Sequence, residues 1–201
     1  NSIFQLGRIV VVGMISTFGT VQIAANAVAN NLDGMVIIPG QAYGLAMITV
    51  IGRCIGARSA EQARYYTKKM MREIYGIMVV TGAVALLALP ALLGLYEITA
   101  DTWRLARTLV TIHVGCGMVL WPASFVLPNA LRAANDVRFP MWVSILSMLA
   151  WRLGFSYVLA VRMGWGAIGV WVAMVVDWVC RSGCFAGRWL SGRWQAYYKE
   201  E

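Results

Sequence analysis

Charge is what this 201-residue chain has least of: 13% of its residues are Asp, Glu, Lys or Arg, against 60% that are apolar. With a mean hydropathy of +0.66, that balance excludes an ordinary soluble domain and makes a bilayer the expected solvent. Histidine occurs once, as His113, and cysteine four times, as Cys54, Cys116, Cys180 and Cys184. Cys180 and Cys184 share a helix face at i and i+4, but a zinc site needs four N or S ligands and the single histidine is far away in sequence. The cysteines lack the spacing of an extracellular disulfide framework and read as reduced packing residues, and no metal site is expected. The nine acidic residues are scattered, and no nucleophile stands beside a base, so nothing meets the requirements of an enzyme site. Alternation with period two is absent too, which excludes a membrane barrel. No signal peptide is visible, and the chain opens at Asn1 inside an apolar run, as a piece of a longer protein does.

What is there is long apolar runs. A hydrocarbon core of about 30 Å needs roughly 20 apolar residues per helix, and six spans fit this rule, one of them shortened: 3–18, 22–52, 74–95, 105–131, 139–161 and 166–187. The expected fold is therefore an all-α membrane protein, a six-helix bundle. The net charge of +8 and pI near 9.7 report orientation rather than nucleic acid, because the basic residues are dispersed between the spans. Arg53, Arg58, Arg64, Lys68, Lys69 and Arg72 fall in one link, which carries a capping-box pattern from Ser59 to Gln62. Arg132, Arg138, Arg181, Arg188, Arg193 and Lys199 fall in another link and the tail on the same side. The opposite side has Arg104, Arg107 and Arg162, so the rule that basic loops stay inside places the C-terminus in the cytoplasm. Trp103 and Trp165 mark the outer boundary; Trp142, Trp189 and Trp194 mark the inner one.

Ionisable residues inside a span are costly and usually face a partner or an aqueous cavity. Arg8, Asp33, Arg152 and Asp177 qualify. Residues equidistant from a tight turn share one depth, since each helix rises about 1.5 Å per residue. A turn near 164 and 165 brings Arg152 opposite Asp177, and a turn near 20 and 21 brings Arg8 opposite Asp33, predicting two buried ion pairs. Asp177 has a second candidate partner in Arg181 at i+4. Asn26, Asn30, Asp33 and Gln41 recur at i, i+4, i+7 and i+15 as a polar stripe, and Pro39 with Gly40, Gly34 and Gly44 predicts a bend beside it. Such bent helices line transporter sites. An alternative register starts the second helix at Gly34 and leaves Asp33 on an outer loop. His113 lies near the depth of Asp33, and imidazole is the side chain that relays protons near neutral pH; hydrogen bonding within helix packing is the alternative role. Pro122 and Pro128 interrupt the lower part of the same span.

Three ordered motifs resemble a known family. PNALRAANDVRFP, residues 128–140, is similar to the LR-x-x-x-D link after the tenth helix of MATE (multidrug and toxic compound extrusion) exporters; residues 24–57 are similar to the eighth helix and its Gly-rich link; residues 164–194 are similar to the last helix and tail. The resemblance implies that residues 1–201 form the C-terminal lobe of a twelve-helix transporter, truncated within its first helix and lacking the N-terminal lobe. It implies a multi-pass protein of the cell (inner) membrane. It further implies exchange of amphipathic drugs or organic cations for a sodium ion or a proton, with no other cofactor. Asp33, Asn26, Asn30, Gln41, Arg8 and His113 are the candidate cation or substrate pathway, and Arg152 with Asp177 a structural ion pair. The family's early glutamate in the first helix of this lobe has no counterpart here, since no glutamate precedes Glu61. Alternatives within the same superfamily are a flippase of lipid-linked precursors, or a fragment without independent activity.

Overall fold

The computed structural model describes residues 2–196. Among them every regular element is helical: α1 Ser2–Ser16, α2 Thr20–Val36, α3 Ile38–Gly56, α4 Ala60–Gly94, α5 Ala100–Trp121, α6 Leu127–Ala133, α7 Arg138–Ser147 and α8 Gly166–Leu190. A π-helical turn, Pro122–Val126, joins α5 to α6, and π-helical stretches Met148–Phe155 and Val158–Arg162 prolong α7. Four helices or helix runs are long and apolar enough to cross a membrane, and the α2–α3 pair, bent by 47°, makes a fifth; α1 is shorter. The lobe is thus an all-α membrane bundle.

Local chemistry sets the breaks. Pro39 has no N–H to give the preceding turn, and its ring collides with the carbonyl four residues back, so the span predicted as 22–52 bends at Ile37. The register that would leave 22–33 as a loop is not the one adopted. Pro122 and Pro128 likewise remove two ladder donors, and the Leu127 N–H reaches back to the Pro122 carbonyl, opening a π turn. Ser59 accepts from the Gln62 N–H at 3.3 Å and Thr99 from Thr102 at 3.3 Å, capping α4 and α5. The 35 residues of α4 extend about 52 Å, well beyond a hydrocarbon core, so its basic first turns stand clear of the bilayer.

The end bearing the α1–α2 turn is termed upper, and that bearing the α3–α4 link lower. Two apolar cores are stacked between them. The upper one gathers Ile15, Leu32, Leu93, Leu109, Val110 and Trp171; the lower one gathers Met47, Ile74, Trp121, Leu131, Phe185 and Trp194. Aliphatic side chains such as Leu87 and Leu95 cover the outside, 84% and 80% exposed, as a lipid-facing surface requires.

Several expectations need correction. The C-terminal tail does not begin at Arg181: α8 continues to Leu190, and Arg181 is buried within it. Trp194 is no interfacial ring but a core residue, stacked on Trp189 at 4.5 Å. Lys199 lies outside the described residues. Gly40 and Gly44 serve close approach more than bending, since a Cβ on Gly40 would sit 2.2 Å from the Trp121 ring and one on Gly44 2.7 Å from Asn129.

The tightest such approach to backbone is at Gly169, where a Cβ would lie 2.8 Å from the Ala160 nitrogen and the Leu159 carbonyl carbon. Small residues at these crossings are what packs helices where the solvent is itself apolar. Gly169→Ala should therefore lower the stability of the purified full-length protein by about 1–3 kcal/mol, read as a fall in its thermal midpoint. Gly183→Ala, with open space around its Cα, is the control and should leave that midpoint in place.

Candidate functional site

The polar groups lie between the two cores. α2 runs along α5, and α5 along α8, so Asp33, His113 and the α8 face of Trp171, Met174 and Trp178 converge. Asp33 Oδ1 is 2.8 Å from His113 Nδ1, with the side chains 13% and 3% exposed. The approach is short but off the line of the ring N–H, so it is a charge contact rather than an aligned hydrogen bond. Two indoles hold the imidazole: Trp171 edge-on at 4.6 Å and Trp178 tilted at 4.2 Å. Trp171 is itself fixed, its Nε1–H donating to Asn26 Oδ1 at 2.9 Å, and Gln22 Oε1 accepts from the Ala167 N–H at 2.8 Å at the start of α8. A carboxylate and an imidazole in contact inside a bundle form a polar pair whose net charge changes by one only when a proton enters from, or leaves to, the outside.

The pair predicted between Arg8 and Asp33 does not form. The chain turns at Thr17–Gly19, with Gly19 at φ +99°, not at 20 and 21. Counted from residue 18, Arg8 is then ten residues down and Asp33 fifteen, a mismatch of about 7.5 Å in depth. Arg8 stays exposed on α1, and the slot facing Asp33 is taken by His113. The polar stripe is also divided. Asn26 is buried against Trp171; Asn30 is exposed and donates to the Asn26 carbonyl at 2.8 Å; Gln41 is exposed beyond the bend, on a different helix axis.

A second carboxylate lies at the same level. Asp177 is fully buried, accepts from the Ser147 hydroxyl and faces Arg181 Nη1 at 3.8 Å. The α7–α8 turn is centred on Gly164, as expected, and Arg152 comes within electrostatic range of Asp177, Arg181, Arg8 and Asp33. Arg181 also stacks over the Phe125 ring at 5.0 Å.

Sequence reasoning missed four participants. Trp171 and Trp178, spaced i and i+7 on α8, carry a face signal that was legible. Ser147 carries none, because an isolated serine in an apolar run is common. Asp136, inside the LR-x-x-x-D motif, is fully buried in the α6–α7 link and accepts from Arg188 Nε at 2.7 Å, while that guanidinium lies 4.9 Å from the Phe139 ring. The pair fastens the link to the lower end of α8.

Comparison with known proteins gives one consistent picture. The family model described as MatE matches residues 1–158. The uncharacterized transporter YisQ of Bacillus subtilis is 24% identical over 194 residues, covering 95% of this chain and 42% of that protein. The probable multidrug resistance protein NorM of Thermotoga maritima is 20% identical over 195 residues, covering 97% of this chain and 42% of its own length. The probable NorM of Neisseria meningitidis serogroup A is 27% identical over 170 residues, covering 83% and 36% respectively. Among solved structures, a MOP superfamily transporter from Pyrococcus furiosus superposes with a TM-score of 0.85 at 20% identity, covering 94% of this chain and 41% of that one. The chain therefore spans about 42% of the length of the first two curated relatives.

Proposed function

Because this chain belongs to the MatE family, we propose that it is the C-terminal lobe of a proton-coupled exporter of amphipathic compounds, resident in the cell membrane with its C-terminus in the cytoplasm. The rest of the protein would supply the lobe that closes the substrate cleft. The observation that carries the reading is the Asp33–His113 contact, held at mid-depth by Trp171 and Trp178 beside the bend at Ile37. Multidrug resistance proteins among the relatives support a small-molecule cargo. A proton is favoured over a sodium ion because imidazole already occupies the inner side of the carboxylate, and a histidine releases and accepts protons without needing an oxygen cage. Charge change at this pair alters the relative stability of the two cleft openings, which is how binding on one side drives release on the other.

The test uses the full-length protein in inside-out vesicles. A pH gradient should drive dye accumulation where an equal sodium gradient does not, and His113→Gln should flatten the dependence on pH. Sodium-driven accumulation untouched by His113→Gln would refute proton coupling through this pair. Movement of a labelled lipid-linked precursor with no movement of dye would instead support the flippase alternative.

A further inference from the structure

The charges between the two cores do not cancel. Among the described residues, Arg152 lies within electrostatic range of two other guanidinium groups, Arg8 and Arg181, and of two carboxylates, Asp33 and Asp177, so three positive charges stand against two negative ones. Both carboxylates are engaged by the protein itself. Asp177 is enclosed by Ser147 and Arg181, and Asp33 is in contact with His113.

Arg8 differs from the other two guanidinium groups. It is exposed, and among the described residues no carboxylate lies within ion-pair distance of it. Its neighbour Gly7 is pressed against Met148, where a Cβ would come within 2.1 Å of the methionine methyl, so α1 is seated on the π-helical stretch that carries Arg152. Arg8 and Arg152 therefore feel one another's charge. Two like charges at mid-depth are stabilised by an anion and repelled by a cation. Around Arg8 the same helix exposes Leu6, Ile9, Val10 and Val12, each more than half exposed, so a charged point sits in an apolar field. That is the complement of a molecule with an apolar body and one anionic group.

We propose that the cargo recognised at this face is an amphiphile bearing a carboxylate, sulfonate or phosphate, that Arg8 is the anchor for its anionic group, and that Arg152 and Arg181 supply the positive potential around it. The inference rests on the transport reading above and adds the sign of the cargo to it. Guanidinium suits this role because it stays charged and presents paired donors to a planar or tetrahedral oxyanion.

Two xanthene dyes of similar size separate the possibilities: sulforhodamine B as the anion and rhodamine 6G as the cation. Binding of each to purified full-length protein is followed by fluorescence anisotropy, and transport of each is followed in proteoliposomes under a pH gradient. The wild-type protein should bind sulforhodamine B about tenfold or more tighter than rhodamine 6G, consistent with one charge-assisted contact. Arg8→Gln should erase that difference, and Arg8→Lys should keep most of it. Phosphatidylglycerol with a fluorescent acyl chain forms a third arm, and Arg8-dependent movement of it in place of the dye would identify a lipid source for the same anionic chemistry. Tighter binding of rhodamine 6G by the wild type, or a preference unchanged in Arg8→Gln, overturns the proposal. Proton-driven movement of rhodamine 6G in preference would do so while leaving the exporter reading intact; failure of all three probes to bind or move would overturn both.

Discussion

Asp33→Asn in the full-length protein should reduce dye export to the level of cells lacking the gene, while the variant reaches the membrane in normal amounts. The substitution keeps the shape of the side chain and removes the one negative charge that faces His113 Nδ1 at 2.8 Å. Asparagine carries no negative charge and takes up no proton, so the imidazole loses the anionic partner that couples its charge to the site. Folding should survive, because the side chain is only partly enclosed, 13% exposed, and asparagine has nearly the same size and shape. Efflux assays paired with surface quantification decide the matter: export close to wild type by a variant of normal abundance would remove Asp33 from the coupling mechanism.

Asp136→Ala should be the more damaging change to stability. The carboxylate is fully buried, and its partner Arg188 is 16% exposed, so water cannot readily replace the 2.7 Å contact. Removing one member of a buried pair leaves an uncompensated charge and typically costs about 3–5 kcal/mol. The expected readout is a marked fall in the thermal midpoint of the purified full-length protein. Asp136→Ala combined with Arg188→Met should recover much of the loss, because the second change removes the stranded charge. An unchanged midpoint in the single variant would show that the link is not fastened by this pair.

How far the amino-acid order revealed this lobe depends on what each inference rested on. Spans were legible because twenty apolar residues have no other stable use, and the bend in the second was legible because Pro39 removes a donor wherever it sits in a helix. The depth of His113 followed from counting residues along α5, and the contact with Asp33 is consistent with that count. Counting failed for Arg8, where a turn centred near residue 18 instead of between 20 and 21 shifted the two helices by about five residues in relative register, roughly one and a half helical turns. Short turns of polar and small residues leave such shifts undetermined, since TFGT offers Gly19 its positive φ without saying where the flanking helices stop. The π-helical stretch Met148–Phe155 was hidden as well. It contains no proline, and it packs against α1 and α8, elements far from it in sequence that no local pattern reveals. Asp136 was quoted inside a family motif, yet its partner is 52 positions away, a distance that no local pattern spans.

The stacking of two apolar cores has a mechanical outcome. Beside the lower core, α2 passes to α3 through Ile37 and α5 passes to α6 through a π turn, so two of the long rods have interrupted backbone ladders there. Interrupted ladders are where a helix bends most readily, so these two rods are least stiff at those joints. The carboxylate stands one helical turn before the first joint and touches an imidazole nine residues before the second, so a change of charge at that contact acts on both rods at once.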